Sequence, residues 1–347
     1  MQRDHERFRP APSPQPWSAS QPKPATPGAV RAPHSIECYL AAATVGLFAL
    51  SILVGDGFVG WAPGLILLDI RLPRTLLAIL VGGGLGLSGA ALQGGLRNRL
   101  ADPGLLGITG AAGLGAVVAF YWGLAARFAP ALPLGGLVGA GVGAVFLLSF
   151  AGRAPSGPSV ILAGIAVSAI SAALLALALA LAPNPFALAE ITFWLLGGLQ
   201  DRTLLDVGLA APPILLGAAI LVRLGRGLDA LSLGEDTAAS LGVPVGRTLR
   251  LAALGTALAA GAAASVAGGI GFVGLVVPNL LRPMVGERPD ALLVPSALGG
   301  AALLLAADLL VRLSVFVLPL SGPLPLGVLT ALLGAPCLIA IARKAAP

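Results

Sequence analysis

Long apolar stretches, separated by short polar joins, run along most of this chain. An α-helix needs about 20 predominantly apolar residues to cross a bilayer, and fewer where the span is short or bent. The pattern therefore predicts an all-α integral membrane protein of about ten transmembrane helices. The predicted spans are 38–55, 73–94, 103–122, 134–150, 159–181, 204–223, 248–268, 270–285, 290–313 and 325–342.

Composition agrees with a lipid environment for most of the chain. Hydrophobic residues make up 57% of the 347 residues and charged residues 10%, whereas a soluble domain carries about 25% charged residues. The 48 glycines suit close packing of membrane helices, because small residues let two backbones approach. The run Gly84-Leu-Gly86-Leu-Ser-Gly89 matches the letters of a dinucleotide-binding motif, but it lies inside a predicted span and so predicts helix packing instead.

The first 36 residues differ from everything after them. They hold eight prolines and five Lys or Arg residues, with almost no aliphatic side chains, so they cannot bury enough apolar area to offset the entropy of ordering. We divide the chain into a disordered, proline-rich cytoplasmic tail, residues 1–36, and a transmembrane domain, residues 37–347. The tail is not a cleavable signal peptide, because the first apolar stretch begins only near Cys38.

Basic residues are distributed unevenly between the two sides of the predicted topology. With the N-terminus in the cytoplasm, 16 of the 21 Lys and Arg residues fall on the cytoplasmic side, which is the bias that the positive-inside rule describes. The count predicts an N-in, C-in orientation with an even number of spans. It also accounts for the net charge of +6, so that this charge does not indicate nucleic-acid binding.

The predicted spans hold almost no groups for metal binding or catalysis. Histidine occurs only at His5 and His34, and methionine only at Met1 and Met284, so a relay for bare transition-metal ions would lack its ligands. The chain also has no G-x-x-x-x-G-K-[ST] phosphate-binding loop. We therefore predict no catalytic, cofactor-binding or metal-binding residue, and any ATP that powers this protein binds to another chain.

Asp308 is the clearest acidic residue within a predicted span. Charge inside a membrane is costly and often functional, which would suit a proton relay in an ion-coupled secondary transporter. Arg312 follows four residues later on the same helical face. This spacing favours a structural ion pair over the proton relay.

The polar loop at about 226–247 predicts a short amphipathic helix. Glu235 and Asp236 would favour the positive end of that helix, and Gly242 would close it in the left-handed conformation. The spacing fits docking onto a partner protein and a position on the membrane surface equally well. The apolar side of the helix would comprise Leu231, Leu233, Ala238 and Leu241.

Several motifs carry a resemblance to one family of proteins over about residues 38–343. They are the loop segment Leu228 to Val243, Arg71-Leu-Pro-Arg74-Thr, Ser88-Gly-Ala-Ala-Leu-Gln93, Arg97-Asn-Arg-Leu-Ala-Asp-Pro-Gly-Leu-Leu-Gly107, Gly268-Gly-Ile-Gly-Phe-Val-Gly-Leu-Val-Val-Pro278, Ala307-Asp308-Leu-Leu-Val-Arg312 and Leu324-Pro-Leu-Gly-Val-Leu-Thr-Ala-Leu-Leu-Gly-Ala-Pro336. In this order the motifs resemble the permeases of ATP-binding-cassette (ABC) importers for iron siderophores, haem and cobalamin. The resemblance implies a cobalamin-permease-like helical bundle in the bacterial inner membrane.

The resemblance also implies partners and a mechanism. The permease would form a homodimer around a central pathway, and two copies of a separate ATPase would hydrolyse the ATP, so that this chain is not itself an enzyme. A periplasmic or lipid-anchored binding protein would deliver the cargo, which then crosses by alternating access. Matching positions imply binding-protein docking by Arg71, Arg74 and Arg312, ATPase coupling by Leu231, Leu233, Gly234, Glu235, Ala238, Leu241 and Gly242, and a cytoplasmic gate at Asn98 and Leu100. For the three arginines, anchoring at lipid headgroups is the alternative.

Three positions depart from the pattern of that family. Arg99, Asn279 and Pro323 stand where the family usually has Pro, His and Glu, and Arg99 puts a charge near the proposed gate. We expect a ferric siderophore as the cargo, because this is the commonest role in the family. Haem and cobalamin are the alternatives within the family, and an ion-coupled secondary transporter is the alternative outside it.

Overall fold

The computed structural model describes residues 33–55, 58–60, 64–128, 130–317 and 324–345. Residues 1–32 of the predicted tail lie outside the described residues, as does Pro323. Residues 33–36, which we assigned to the tail, form the start of the first helix. The described part of the chain is almost entirely helical, as predicted.

Fifteen α-helices follow one another in the described part of the chain. A short antiparallel hairpin, β1 (Val54–Gly55) with β2 (Phe58–Val59), follows the first of them. A π-helix, Leu67–Arg71, leads into the third helix, and a 3-10 helix, Pro103–Leu106, leads into the fourth. The α-helices are α1 (Pro33–Leu53), α2 (Gly64–Ile66), α3 (Leu72–Gly95), α4 (Ile108–Tyr121), α5 (Leu124–Arg127), α6 (Ala131–Ala151), α7 (Gly157–Ala180), α8 (Pro185–Leu195), α9 (Leu204–Arg223), α10 (Gly225–Ser232), α11 (Glu235–Ser240), α12 (Val245–Ala267), α13 (Val273–Val285), α14 (Pro289–Val317) and α15 (Leu326–Ala345).

Each of the ten predicted spans coincides with one of these helices. In order they are α1, α3, α4, α6, α7, α9, α12, α13, α14 and α15. Seven spans are long and apolar enough to cross a membrane, while α4, α13 and the Leu326–Ile339 part of α15 are shorter apolar helices. The predicted class of about ten membrane helices is confirmed.

Helix α8 was not predicted. Its 11 residues are too few for a span, so a search for apolar stretches of membrane length passes over it. A local capping signal does mark its start, because the side-chain Oδ1 of Asn184 accepts a hydrogen bond from Ala187 N–H at 2.9 Å and Pro185 occupies the first helical position.

Helices α3 and α12 form the buried centre of the bundle. In each of the two spans, 78% of the apolar window is buried, compared with 28% for α7. Glycines allow this packing: a Cβ atom on Gly86 would overlap the Ser296 carbonyl of α14, and one on Gly89 would overlap the Gly274 carbonyl of α13. The glycine-rich run of α3 therefore serves helix packing, as predicted.

Candidate functional site

The predicted coupling segment forms two short helices, α10 and α11, between the spans α9 and α12. Leu231 and Ala238 are fully buried, whereas Leu233 and Leu241 are 64% and 63% exposed. The prediction of one apolar side is therefore wrong. The chain changes direction at Gly234, which has a φ of 115°, so the residues before and after it do not share a helical face. The buried residues attach the segment to the spans, and the two exposed leucines form an outer surface.

Gly242 ends α11 in the predicted way. Its φ is 82°, and its N–H donates to the carbonyl of Ala239 at 2.9 Å. The N–H of Val243 donates to the carbonyl of Ala238, also at 2.9 Å. These two bonds are the Schellman arrangement, which needs a left-handed residue and therefore favours glycine.

Glu235 makes a contact outside its own helix. It starts α11 together with Asp236, as predicted, but its side-chain Oε1 also accepts a hydrogen bond from Gly157 N–H at 2.8 Å. Gly157 is the first residue of α7, where backbone N–H groups carry the positive end of the helix dipole. Sequence reasoning missed this contact because the two residues lie 78 positions apart.

Asp229 of α10 makes a second contact of the same kind, which we did not predict. Its Oδ1 accepts a hydrogen bond from Asp290 N–H, in the first turn of α14, at 2.8 Å. Its Oδ2 accepts two further hydrogen bonds, from Arg288 Nε at 3.1 Å and Arg288 Nη2 at 2.8 Å. The Asp229 carboxylate therefore links α10 to the start of α14.

The proposed gate residues lie in the loop between α3 and α4. Asn98 Oδ1 accepts a hydrogen bond from Leu100 N–H at 2.9 Å, which fixes the turn, and Leu100 is 46% exposed. Asp102 follows and caps the 3-10 helix by accepting a hydrogen bond from Gly104 N–H at 2.8 Å. Burial raises the pKa of the Asp102 carboxyl, and backbone hydrogen bonds from Gly104 and Leu275 partly offset that shift.

Two of the departures from the family pattern contact each other. Asn279 Nδ2 donates to the backbone carbonyl of Arg99 at 2.9 Å, so this asparagine holds the gate loop against α13. The Arg99 guanidinium points elsewhere and forms an ion pair with Glu287 at 2.9 Å, with both side chains more than half exposed. The charge that Arg99 adds near the gate is therefore paired within the same chain.

The three predicted docking arginines are buried, contrary to the expectation that they face outward. Arg71 and Arg74 are 4% exposed and Arg312 is 1% exposed. Arg71 Nη1 donates to the carbonyls of Ile52 at 2.8 Å, Leu53 at 2.9 Å and Gly60 at 2.8 Å.

The physical reason for this burial is the end of α1, whose last carbonyls have no partner within the helix. Arg312 completes the cap, because its Nη1 donates to the carbonyls of Ser51 at 2.9 Å and Val54 at 2.8 Å. A cation at this position also complements the negative end of the helix dipole. Arg71 and Arg312 thus stabilise the end of α1, and a docking role for the three arginines stays a prediction.

Asp308 lies between two of these arginines. Arg312 Nη2 pairs with Asp308 Oδ2 at 2.6 Å, which confirms the predicted ion pair. Arg74 Nε pairs with Asp308 Oδ1 at 2.9 Å and adds a partner that we did not predict. The cluster joins α3 to α14, and it borders a cavity of about 280 Å³ that is also lined by Arg202 and Glu190.

Comparison with known proteins gives the same family over nearly the whole described region. The sequence model of the FecCD transport family matches residues 38–344. The ferric enterobactin transport system permease protein FepD of Escherichia coli is 36% identical over 287 residues, which cover 80% of this chain and 82% of FepD. The vitamin B12 import system permease protein BtuC of Salmonella typhi is 37% identical over 311 residues, which cover 86% of this chain and 91% of BtuC.

A solved structure supports the same relationship at the level of the fold. An inward-facing conformation of a metal-chelate type ABC transporter superposes with a TM-score of 0.78 at 29% sequence identity. The superposition covers 90% of this chain and 100% of that chain.

Proposed function

Because this chain belongs to the FecCD transport family, whose members include permeases of ABC importers, we propose that it carries a ferric siderophore across the inner membrane. It is a multi-pass protein of that membrane and an ABC importer permease. The match to the family over residues 38–344 is the observation that carries this function.

The choice of cargo rests on the chemistry that the similar proteins share. One is named for ferric enterobactin and another for vitamin B12, and both compounds are metal ions enclosed in an organic ligand. A chelate can cross without protein groups binding the metal, which fits a chain whose only histidines are His5 and His34. Cobalamin is the second candidate. The match to BtuC covers 86% of this chain, compared with 80% for the match to FepD.

The energy source in this proposal is ATP hydrolysed by a partner ATPase. The exposed Leu233 and Leu241 provide an apolar surface on the coupling segment, which a cytoplasmic ATPase would cover. This arrangement needs the N-in, C-in orientation, because only then does the coupling segment lie in the cytoplasm. A homodimer with two ATPase subunits and one binding protein completes the proposed assembly.

A proton-coupled transporter receives less support from the geometry. Asp308 is the acidic residue best placed within a span, and its two carboxylate oxygens are engaged by Arg74 and Arg312. These contacts hold the carboxylate as a fixed link between α3 and α14. We therefore assign Asp308 to the structure of the bundle and not to a proton pathway.

Uptake of labelled cargo tests the proposal. Cells lacking the gene and complemented cells would be given radiolabelled iron in a panel of ferric siderophores, and radiolabelled cobalamin, under iron starvation. We expect the deletion to reduce uptake of one siderophore, and the intact gene to restore it. Reduced uptake of cobalamin alone would show that cobalamin is the cargo. Equal uptake of every compound in both strains would contradict the proposal.

A further inference from the structure

Two carboxylates of the coupling segment each bind the N-terminus of a different spanning helix. We propose that Glu235 and Asp229 are positioning residues, through which movement of the coupling segment pulls on the cytoplasmic ends of α7 and α14. This inference rests on the proposed function, because it needs an ATPase that moves the segment.

The start of α7 depends on Glu235 for one of its hydrogen bonds. Ser156 caps the helix, since its Oγ accepts from Ser159 N–H at 3.5 Å and its carbonyl accepts from Val160 N–H at 3.1 Å. Pro158 has no N–H to satisfy. Gly157 N–H is the remaining donor of this first turn, and Glu235 Oε1 accepts it at 2.8 Å. The contact is therefore part of the cap of α7.

The start of α14 has a similar arrangement with Asp229. Pro289 is the first residue of α14 and lacks an N–H, so Asp290 supplies the first donor, which Asp229 Oδ1 accepts at 2.8 Å. The two helices also lie very close together, because a Cβ atom on Gly225 of α10 would overlap the Asp290 carboxylate. Arg288 holds the other Asp229 oxygen.

The two contacts have different surroundings. Helix α10 packs against α3, because Leu228 is fully buried and lies within 4 Å of the positions where Gly94 and Gly95 would carry a Cβ atom. Between α11 and the start of α7 there is instead an open crevice of about 480 Å³, lined by Glu235, Ser156 and Arg97 among others. The Glu235–Gly157 hydrogen bond borders this open space, so it carries more of the connection to α7 than apolar packing does.

Helix α7 is also one of the less buried spans of the bundle. Only 28% of its apolar window is buried, compared with 78% for α3 and α12 and 56% for α14. A helix with few buried contacts can shift against the fixed centre at a smaller cost than one inside it. We therefore place the larger displacement in α7 and assign its control to Glu235.

Hydrogen exchange of the full-length permease in lipid nanodiscs tests the contact. Glu235→Ala removes the acceptor, and we expect exchange in a peptide covering residues 153–162 to rise about tenfold or more, the effect of losing a hydrogen bond to a charged group. Glu235→Gln retains an oxygen acceptor and keeps the protection. Asp236→Ala is the matched control, because it removes an exposed carboxylate from the same first turn. Unchanged exchange in Glu235→Ala would overturn the inference.

Gly157→Pro tests the same bond from the other side. It removes the donor without changing residue 235, and proline is well accepted at the first position of a helix. We expect it to reproduce the effect of Glu235→Ala on α7. Normal protection of the amides of residues 159–162 in this variant would count against a role for the bond.

The transmission step is measured on the permease purified from its own membranes together with its ATPase. In the wild type, we expect ATP with vanadate to change the exchange of the α7 peptide. In Glu235→Ala we expect the ATPase to remain bound and to hydrolyse ATP, while the α7 response is lost.

Two other outcomes separate this inference from the proposed function. If Glu235→Ala loses the ATPase while Asp236→Ala retains it, Glu235 docks the partner and the positioning role is wrong, although the importer function stands. If no ATPase co-purifies with the wild-type permease, the proposed function fails, and the transmission role fails with it. A full α7 response in Glu235→Ala overturns the inference directly.

Discussion

Replacing Arg312 by leucine tests whether the buried arginines serve stability or docking. The change removes the ion pair with Asp308 at 2.6 Å and the hydrogen bonds to the carbonyls of Ser51 and Val54. Breaking a buried ion pair by removing one partner costs about 3–5 kcal/mol. Arg74 still holds Asp308 Oδ1, which moderates that cost, whereas the two orphaned carbonyls add to it. We expect a loss of about 4 kcal/mol in the free energy of unfolding.

The assay is reversible unfolding in mixed micelles, with Arg127→Leu as the matched control. Arg127 lies on the same predicted outer side, but its side chain is exposed, so its replacement should change stability by less than about 0.5 kcal/mol. Equal losses in the two variants would refute the reasoning. An unfolding free energy unchanged in Arg312→Leu, together with weaker affinity for the binding protein, would show that this arginine docks the partner.

Two further predictions concern helix packing and the gate loop. Gly89→Ala should prevent α3 and α13 from packing, because its Cβ would overlap the Gly274 carbonyl. We expect little folded protein of this variant by size-exclusion chromatography. The control is Gly141→Ala, where nothing lies within 4 Å of the added Cβ, and it should change stability by at most about 1 kcal/mol. Arg99→Ala breaks an exposed ion pair with Glu287, so we expect a loss below about 1 kcal/mol in the same unfolding assay, and a loss of several kcal/mol would contradict this assignment.

The number and positions of the spans could be predicted because lipid imposes one simple condition on each of them. A spanning helix must be apolar over most of its length and must satisfy its own backbone groups, and both conditions are readable within a single stretch of sequence. Helix α8 is apolar but is too short to meet the length condition, so only the local signal at Asn184 and Pro185 marks it.

The contacts of Arg71, Arg74 and Arg312 could be predicted only in part from the sequence. The Asp308–Arg312 pair was predictable because the two residues lie four positions apart on one helix. The second partner, Arg74, lies 234 positions from Asp308, and no spacing rule connects them. The same holds for Arg71, because its acceptors are the backbone carbonyls of Ile52, Leu53 and Gly60, which carry no side-chain signal in the sequence.

The coupling segment was predicted as a location but not as a structure. The acidic start at Glu235 and the turn at Gly242 are local signals, and both appear where expected. Each side of the break at Gly234 holds one buried residue, Leu231 or Ala238, and one exposed leucine, Leu233 or Leu241. A single helical periodicity across the segment could not predict this division. The contacts of Glu235 and Asp229 with other helices depend on how the spans assemble.

The most direct test of the central claim is transport in a purified system. Proteoliposomes would hold the permease with its ATPase, ATP on the ATPase side, the binding protein on the other side, and the labelled chelate that the uptake panel selects. The account predicts that the chelate is moved towards the ATPase side only when ATP is present and hydrolysed, and that an imposed proton gradient cannot replace ATP. Accumulation driven by the proton gradient without ATP would contradict it.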